Sequence, residues 1–572
     1  MPAPIQPDSV TNDVLQQRNG LLQKMRPVTD EMLASPPDGD WLHWLRTYDQ
    51  HGFSPLKQIT KENVDRLKPA WTWSLPPGTG QTTPLVHDGV IYILGPNDRV
   101  QAFDAEKGDL LWEALPKEEN EQATQVKRNM AIYGTTLYVP TVRNTMLALD
   151  ARTGKTIWDQ PIAGAGADWE MTSGPLVAKG KIIQGATHCT TGCFIFALDA
   201  TTGKEVWRFR TVAQPGEPGG NSWNGLPAER RPGAGVWSTA SYDPKLNLVY
   251  LGTGNNYAWQ ELVKGASPGN KQKGVTTDGL YMDSTLALDL ESGKLKWYFQ
   301  HIHLDMWNLD TSFEHQLIDL PVDGKPRRLV VTAGKIAIFD ALDAATGKFV
   351  FAKDLGIQNI VASIDPVTGR KTYNPQSIPD MKRTRTSMQC PAGFGARSYP
   401  SNAYNPNAKT VYVAMAEVCG EVIAVDTSKP DYVYKGGAQE IRIPRLMPGS
   451  DGKVGRLDAV NLETRQITWT VRQRAPFTSA TLATDGGLVF AGDLDRMFRA
   501  YDGATGNVLW ETRLNDIVSS YPISYSVNGK QYIAVVAGVA GPRVGNLNRY
   551  TTEIKAPSGG GATLWVFELP KH

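Results

Sequence analysis

Ala148-Leu149-Asp150-Ala151-Arg152-Thr153-Gly154-Lys155-Thr156-Ile157-Trp158 is the stretch on which the fold turns. The apolar residues before the aspartate read as a strand. Asp-x-x-Thr-Gly is turn chemistry, because the carboxylate can cap local amides and glycine supplies a positive φ. The strand that follows ends in tryptophan, a large flat anchor for a neighbouring element. The same spacing recurs at Asp104…Gly108…Trp112, Asp199…Gly203…Trp207, Asp289…Gly293…Trp297 and Asp502…Gly506…Trp510. Asp343…Gly347…Phe351 carries phenylalanine at the last position, and Asn461…Arg465…Trp469 is degenerate. A weak eighth copy falls at Val422-Ile423-Ala424-Val425-Asp426. A hairpin repeated at intervals of roughly 40–55 residues matches one four-stranded propeller blade, so eight copies predict an all-β, eight-bladed β-propeller.

The ends of the chain fit a closed ring. Ala70-Trp71-Thr72-Trp73-Ser74 and the terminal Thr563–Leu569 are expected to pair, which removes the exposed sheet edges. Two wide gaps must hold insertions along the axis. Residues 211–236 are rich in Gly and Pro, and 352–400 show few strand patterns, so both read as loops over one face. Residues 8–34 look helical. The expected division is a peripheral helical segment at 1–38 and a single propeller domain at 39–572.

Composition excludes several classes. The 59 basic and 58 acidic side chains nearly cancel, which argues against a nucleic-acid partner. No apolar run reaches about 18 residues, so no membrane span is expected. Met1-Pro2-Ala3-Pro4 shows no basic region followed by an apolar core, so no signal peptide is legible. The four cysteines, Cys189, Cys193, Cys390 and Cys419, allow two disulfides, as in an oxidising compartment, or four buried thiols.

The repeated docking phrase resembles that of the quinoprotein alcohol dehydrogenases, which use pyrroloquinoline quinone (PQQ). Tyr48–Leu56, Val64–Trp71 and Thr83–Tyr92 are similar to that family's opening stretch and first blade. Leu251–Asn256 and Asp305–Asp310 are similar to its metal and base segments. The resemblance covers nearly the whole chain. It implies that Trp237 is the indole floor under the quinone, Arg128 a clamp on a cofactor carboxylate, and Gln81 and Thr172 further polar contacts. It makes Lys335 the cation beside the reactive carbonyl oxygen and Asn255 an amide ligand of the metal. That metal is Ca²⁺, or a lanthanide, a hard cation suited to oxygen ligands. It also implies a Cys390–Cys419 disulfide, worth about 2–4 kcal/mol, and a periplasmic or secreted setting.

Three departures from the family pattern stand out. Gln122 and Ala123 replace a vicinal cysteine pair. The segment Gly185–Cys193 lacks the expected metal-binding glutamate, with Thr190 nearest its slot and Cys189 and Cys193 close enough in sequence to reshape the loop. The usual Trp-Asp pair reads Trp307-Asn308, and an amide cannot accept a proton as a carboxylate does. Asp310 is therefore the expected base or metal ligand, with Asp305 in reserve.

The implied reaction is oxidation of an alcohol to an aldehyde or ketone by hydride transfer to quinone C5. No Cys-x-x-Cys-His is present, so no c-type haem is built in, and an external acceptor such as cytochrome c is expected. Thr478 and Pro542 stand where relatives that use small alcohols place large aromatics. The smaller side chains predict a wider opening and a bulky secondary alcohol or polyol as substrate. The competing expectations are a non-catalytic scaffold propeller, favoured by the missing Glu and by Asn308, and a PQQ aldose dehydrogenase.

Overall fold

The computed structural model describes residues 20–76, 78, 81–115, 126–164, 169–255, 259–264, 274–424, 426, 439–538, 541–555, 557 and 561–570. Eight antiparallel four-stranded sheets follow one another. Blades one to five span 85–114, 131–161, 176–210, 241–300 and 316–354. Blade six takes its strands from 403–416 and 455–473, and blade seven from 482–513, extended by the parallel pair Phe53–Ser54. Blade eight joins the two ends of the chain. Lys68–Ser74 pairs antiparallel with Thr563–Glu568, which continues into Lys530–Ala537 and Ile523–Val527.

The repeat phrase explains how the blades meet. An aromatic side chain of each blade lies on the turn of the next, where only glycine leaves room. A Cβ built on Gly108, Gly154, Gly203, Gly293, Gly347 or Gly506 would come within 3.0 Å of the indole of Trp71, Trp112, Trp158, Trp207, Trp297 or Trp469, respectively. Several indole N–H groups also donate to the next blade, as Trp207 does to Leu290 O at 2.9 Å and Trp112 to Ala151 O at 3.0 Å. The degenerate copy keeps the contact by other means. Arg465 adopts φ +60 in the glycine slot, and its guanidinium sits 4.6 Å from the Phe351 ring centroid. Trp510 closes the circle by donating to Leu67 O at 3.2 Å.

Two expectations require correction. The strand ending near Asp426, Val418–Ala424, belongs to no blade. It forms a side sheet with Ser387–Gln389 and Gln439–Leu446. The eighth anchor is Trp71, supplied by the N-terminal strand, so no Asp-x-x-Thr-Gly phrase marks it. Residues 352–400 also hold regular structure. Val361–Ile364 and Lys371–Tyr373 pair around an Asp365…Gly369 turn of the same chemistry, with Asp365 capping the Val367 and Thr368 amides. These strands are too short to show alternation. Residues 211–236 carry only two 3₁₀ turns, at Gly220–Trp223 and Ala228–Arg230. The expected N-terminal helix lies partly outside the described residues, and a five-residue helix is present at Asp30–Ala34. No helix among the described residues is long and apolar enough to cross a membrane.

The docking contact makes a testable demand. Gly293 combines φ +66 with an indole atom 2.5 Å from a built Cβ, whereas Gly324 has φ +75 and open space. Gly293→Ala should destabilise by about 2–3 kcal/mol and Gly324→Ala by about 1 kcal/mol. Thermal and urea unfolding of the two variants check this, and equal losses would exclude a docking contribution.

Candidate active site

Nine segments converge on a cavity of about 380 Å³. Gln81, Arg128, Thr172, Trp237, Asp310 and Lys335 all line it, so six of the residues expected from sequence come together. Asn308, Glu170, Thr187, His188, Tyr399, Phe394, Arg543 and Asn546 line it as well.

Trp237 is half-buried and held from both ends. Its amide donates to Ser312 Oγ at 2.9 Å, its carbonyl accepts from Arg128 at 3.0 Å, and its ring packs edge-on against Phe313. Gly254 keeps the indole close to the polar cluster. A Cβ there would lie 3.3 Å from Trp237 Nε1 and 2.6 Å from Asp310 Oδ1. The flat ring and the carboxylate thus approach one backbone position from two sides.

The polar cluster is continuous. Lys335 Nζ is 2.5 Å from Asp310 Oδ2 and 3.2 Å from Asn308 Oδ1. Asp310 Oδ1 accepts the Asn255 amide at 2.8 Å, and Asn255 Nδ2 donates to Asn308 Oδ1 at 2.5 Å. Asn255 is fully buried and does not line the cavity, and its Oδ1 finds no donor. A buried amide oxygen without a donor is costly unless something electropositive meets it.

The loop that carries Asn308 and Asp310 is shaped by Asp305. Asp305 is buried away from the cavity, and its two oxygens accept the amides of Trp307 at 2.8 Å and Leu309 at 2.5 Å. Leu309 turns into the core, and Asn308 at φ +66 reverses the chain. Asn308 and Asp310 therefore both face the cavity. Asp283, which carries no sequence motif, lies against Asp305. Burial pushes the Asp305 carboxyl up to about 6, and burial with the neighbouring Asp305 and Asp310 carboxylates raises Asp283 well above the usual range. Both Asp283 oxygens are buried without a hydrogen-bond donor, and burial beside like charge favours the protonated carboxyl.

Thr190 lies outside the cavity lining. The residues that reach the cavity from this loop are Thr187 and His188. The Cys189–Cys193 disulfide closes the loop, and Cys189 and Cys193 exchange backbone bonds with Gly233 at 3.3 and 3.1 Å. His188 takes φ +59, and its Nδ1 lies 3.2 Å from Glu170 Oε2. Glu170 pairs through its backbone with Thr187 and stands two residues before Thr172, on the same face of extended chain. That spacing was the available signal for it.

The second disulfide, Cys390–Cys419, anchors the segment whose Gly393 carbonyl accepts from Lys335 at 3.2 Å. Thr478 is buried, bonded to Val518 O, and outside the lining; the Pro542 side chain, Gln122 and Ala123 lie outside the described residues. Among the described residues, the one carboxylate–histidine group with ligand atoms close enough to hold a metal, Asp40–His87–Asp88, is satisfied internally. His87 bonds Asp40 at 2.8 Å and Arg26 O at 2.8 Å, and Asp88 pairs with Arg26.

The propeller thus sets an indole beside a lysine–carboxylate pair and buried guanidinium groups in one cavity. The profile of the family described as "PQQ: Glucose/ethanol/alcohol dehydrogenase, beta-propeller domain" matches residues 41–384 and 357–533. The quinohemoprotein alcohol dehydrogenase ADH IIB of Pseudomonas putida is 34% identical over 528 residues, covering 88% of this chain and 74% of its own. The structure of quinohemoprotein alcohol dehydrogenase ADHIIG from Pseudomonas putida HK5 superposes with a TM-score of 0.84 at 29% identity, over 95% of this chain and 82% of that one. A europium-containing methanol dehydrogenase superposes with a TM-score of 0.83 at 25% identity, over 95% of this chain and 100% of that one. The chain belongs to the PQQ-dependent alcohol dehydrogenase family.

The carboxyl pair sets a pH dependence. A folded-state value raised above the ordinary carboxylate value means stability present at low pH and lost as pH rises through about 6. Asp283→Asn supplies an amide donor that needs no proton. Its stability relative to the parent should grow between pH 4 and 7 in urea titrations of the cofactor-free protein, and parallel profiles would contradict the raised carboxyls.

Proposed function

We propose that this chain oxidises an alcohol with PQQ seated on Trp237, using Asp310 as the base and Lys335 as the cation at the reacting carbonyl. The observation that carries the reading is the Asp310–Lys335–Asn308–Asn255 cluster one residue from the indole floor. Bound PQQ supplies an electrophilic carbonyl carbon that accepts hydride from the carbinol carbon.

The residues present suit such a group. Trp237 offers a flat apolar floor for a tricyclic ring. Arg128, buried, bonds only backbone carbonyls and lies against Trp237 and Tyr399, leaving a guanidinium without a carboxylate partner among the described residues. Gln81 Oε1 and Thr172 Oγ1 are likewise buried without partners. A hard cation, Ca²⁺ or a lanthanide, would find oxygen donors in Asn255 Oδ1 and Asp310, with Glu170, which also lines the cavity, as the carboxylate that the 185–193 segment lacks. His188 orients Glu170.

Asp310 meets the substrate with both oxygens already fixed, by Lys335 and by the Asn255 amide, so a lone pair is presented to the alcohol proton in set geometry. Asn308, at the position where the family carries the acid, holds Lys335 and Asn255 in register and leaves the proton to Asp310. Asp305 shapes the loop and does not reach the substrate. Residues 39–572 act as one propeller with 1–38 as a peripheral segment. The substrate class we assign is a bulky secondary alcohol or polyol, and Phe394, Arg543 and Asn546, rather than Thr478, stand at the cavity wall. Electrons leave to an external acceptor such as cytochrome c. The two disulfides suit the periplasm or the exterior.

Adding PQQ with Ca²⁺ or a lanthanide to the cofactor-free protein should quench tryptophan fluorescence and enable dye reduction with secondary alcohols. Asp310→Asn should lower kcat by about 10²–10⁴-fold while the fold and PQQ quenching persist. No quenching and no alcohol-dependent dye reduction would overturn the reading.

A further inference from the structure

The helix Pro542–Asn548 lies in the connection between the strands Lys530–Ala537 and Thr563–Glu568 and turns Arg543 and Asn546, three residues apart, onto the cavity. Its start abuts the cofactor side, since a Cβ on Gly541 would lie 2.4 Å from Gln81 Nε2. Arg543 is 8% exposed. One of its terminal nitrogens donates to Ala396 O at 3.1 Å, and its Nε has no acceptor. Among the described residues no carboxylate faces it. The groups that act on it are the Tyr399 phenol and another cation, Arg397, which is itself paired with Glu314 at 2.5 Å. Burial lowers Arg543 to about 10, which still leaves it charged at neutral pH.

The cavity's charges can be sorted by partner. Lys335 is matched by Asp310, and Glu170 lies against His188. Arg128 and Arg543 are left, both beside Tyr399 and both with an unsatisfied Nε. An arginine does not shed its charge when buried, so it needs an anion brought from outside. The planar fork suits a carboxylate, and an amide donor nearby adds a further bond. The reading under Proposed function, on which this inference rests, gives Arg128 one of the three cofactor carboxylates. It gives Arg543 nothing.

We propose that Arg543, with Asn546 beside it, is a second carboxylate receptor in this cavity, taking either another carboxylate of the cofactor or an acid group carried by the alcohol. Both sources present the same anion to the same fork. They differ in what is lost when the fork is removed.

Arg543→Gln, Arg543→Lys and Asn546→Ala separate them, with circular dichroism and melting temperature as folding controls. Tryptophan quenching measures binding of PQQ and of its trimethyl ester. Dye reduction measures kcat/KM for cyclohexanol against 4-hydroxycyclohexanecarboxylate. If the cofactor supplies the carboxylate, Arg543→Gln weakens PQQ about 10- to 100-fold, leaves the ester unchanged, and Arg543→Lys restores part of the loss. If the substrate supplies it, PQQ binding is unchanged, while the hydroxy acid loses about 10- to 100-fold and the neutral alcohol does not. Asn546→Ala, at a half-exposed position, shifts the same quantity in the same direction and reads the site even if Arg543→Gln fails to fold. A parent protein blind to PQQ sinks the functional reading and this site with it. A parent that binds PQQ, with variants that match it in both assays, sinks this site alone.

Discussion

An aromatic ring lying on the backbone of the next blade, repeated around the circle, is the contact on which everything else in this molecule rests. It joins each blade to the next, and the cavity of about 380 Å³ is lined from several of them. Loop residues at 126–128, 170–172, 187–188, 237, 308–310, 335 and 394–399, with Arg543 and Asn546, line that space and supply the chemistry. Because the contact needs a residue without a Cβ at most turns, the fold is written into glycines as much as into tryptophans. The one place where the pair becomes Phe351 and Arg465 keeps the geometry by stacking a guanidinium in place of a peptide.

The propeller was legible because its physics is local: a capped turn, a glycine, an indole, in constant order. The reading slipped at the eighth blade because that blade is assembled from both ends of the chain. Its anchor, Trp71, lies far in sequence from the strands it completes. Asp426 drew attention by a strand pattern that is real but belongs to a side sheet. The short hairpin at 361–373 was missed because three or four residues cannot display alternation.

The site divides along similar lines. Trp237, Arg128, Lys335, Asn255 and Asp310 sit in segments that resemble known ones, and they could be placed by position. Glu170, His188, Asp283 and Arg543 carry no phrase of their own, and their importance comes from the third dimension. Glu170 reaches the cavity because its backbone pairs with Thr187, and His188 because a five-residue disulfide loop bends it into the left-handed region. Asp305 looked like a spare base in sequence, yet burial and two backbone amides make it the brace of the loop. A carboxylate's role here depends on whether it faces the cavity or the backbone, and sequence does not record that.

Charge is the thread that joins these observations. The cavity keeps one cation matched and two guanidinium groups waiting, beside an amide oxygen with no donor. An anionic, flat, carbonyl-bearing molecule and a hard cation would give these groups the partners they lack. The most direct test is a crystal structure with PQQ and Ca²⁺ added together. The account predicts ring density stacked on the Trp237 indole, with the ion touching Asn255 Oδ1 and Asp310. Ring density away from Trp237, or an ion held instead by Asp40, His87 and Asp88, would contradict it.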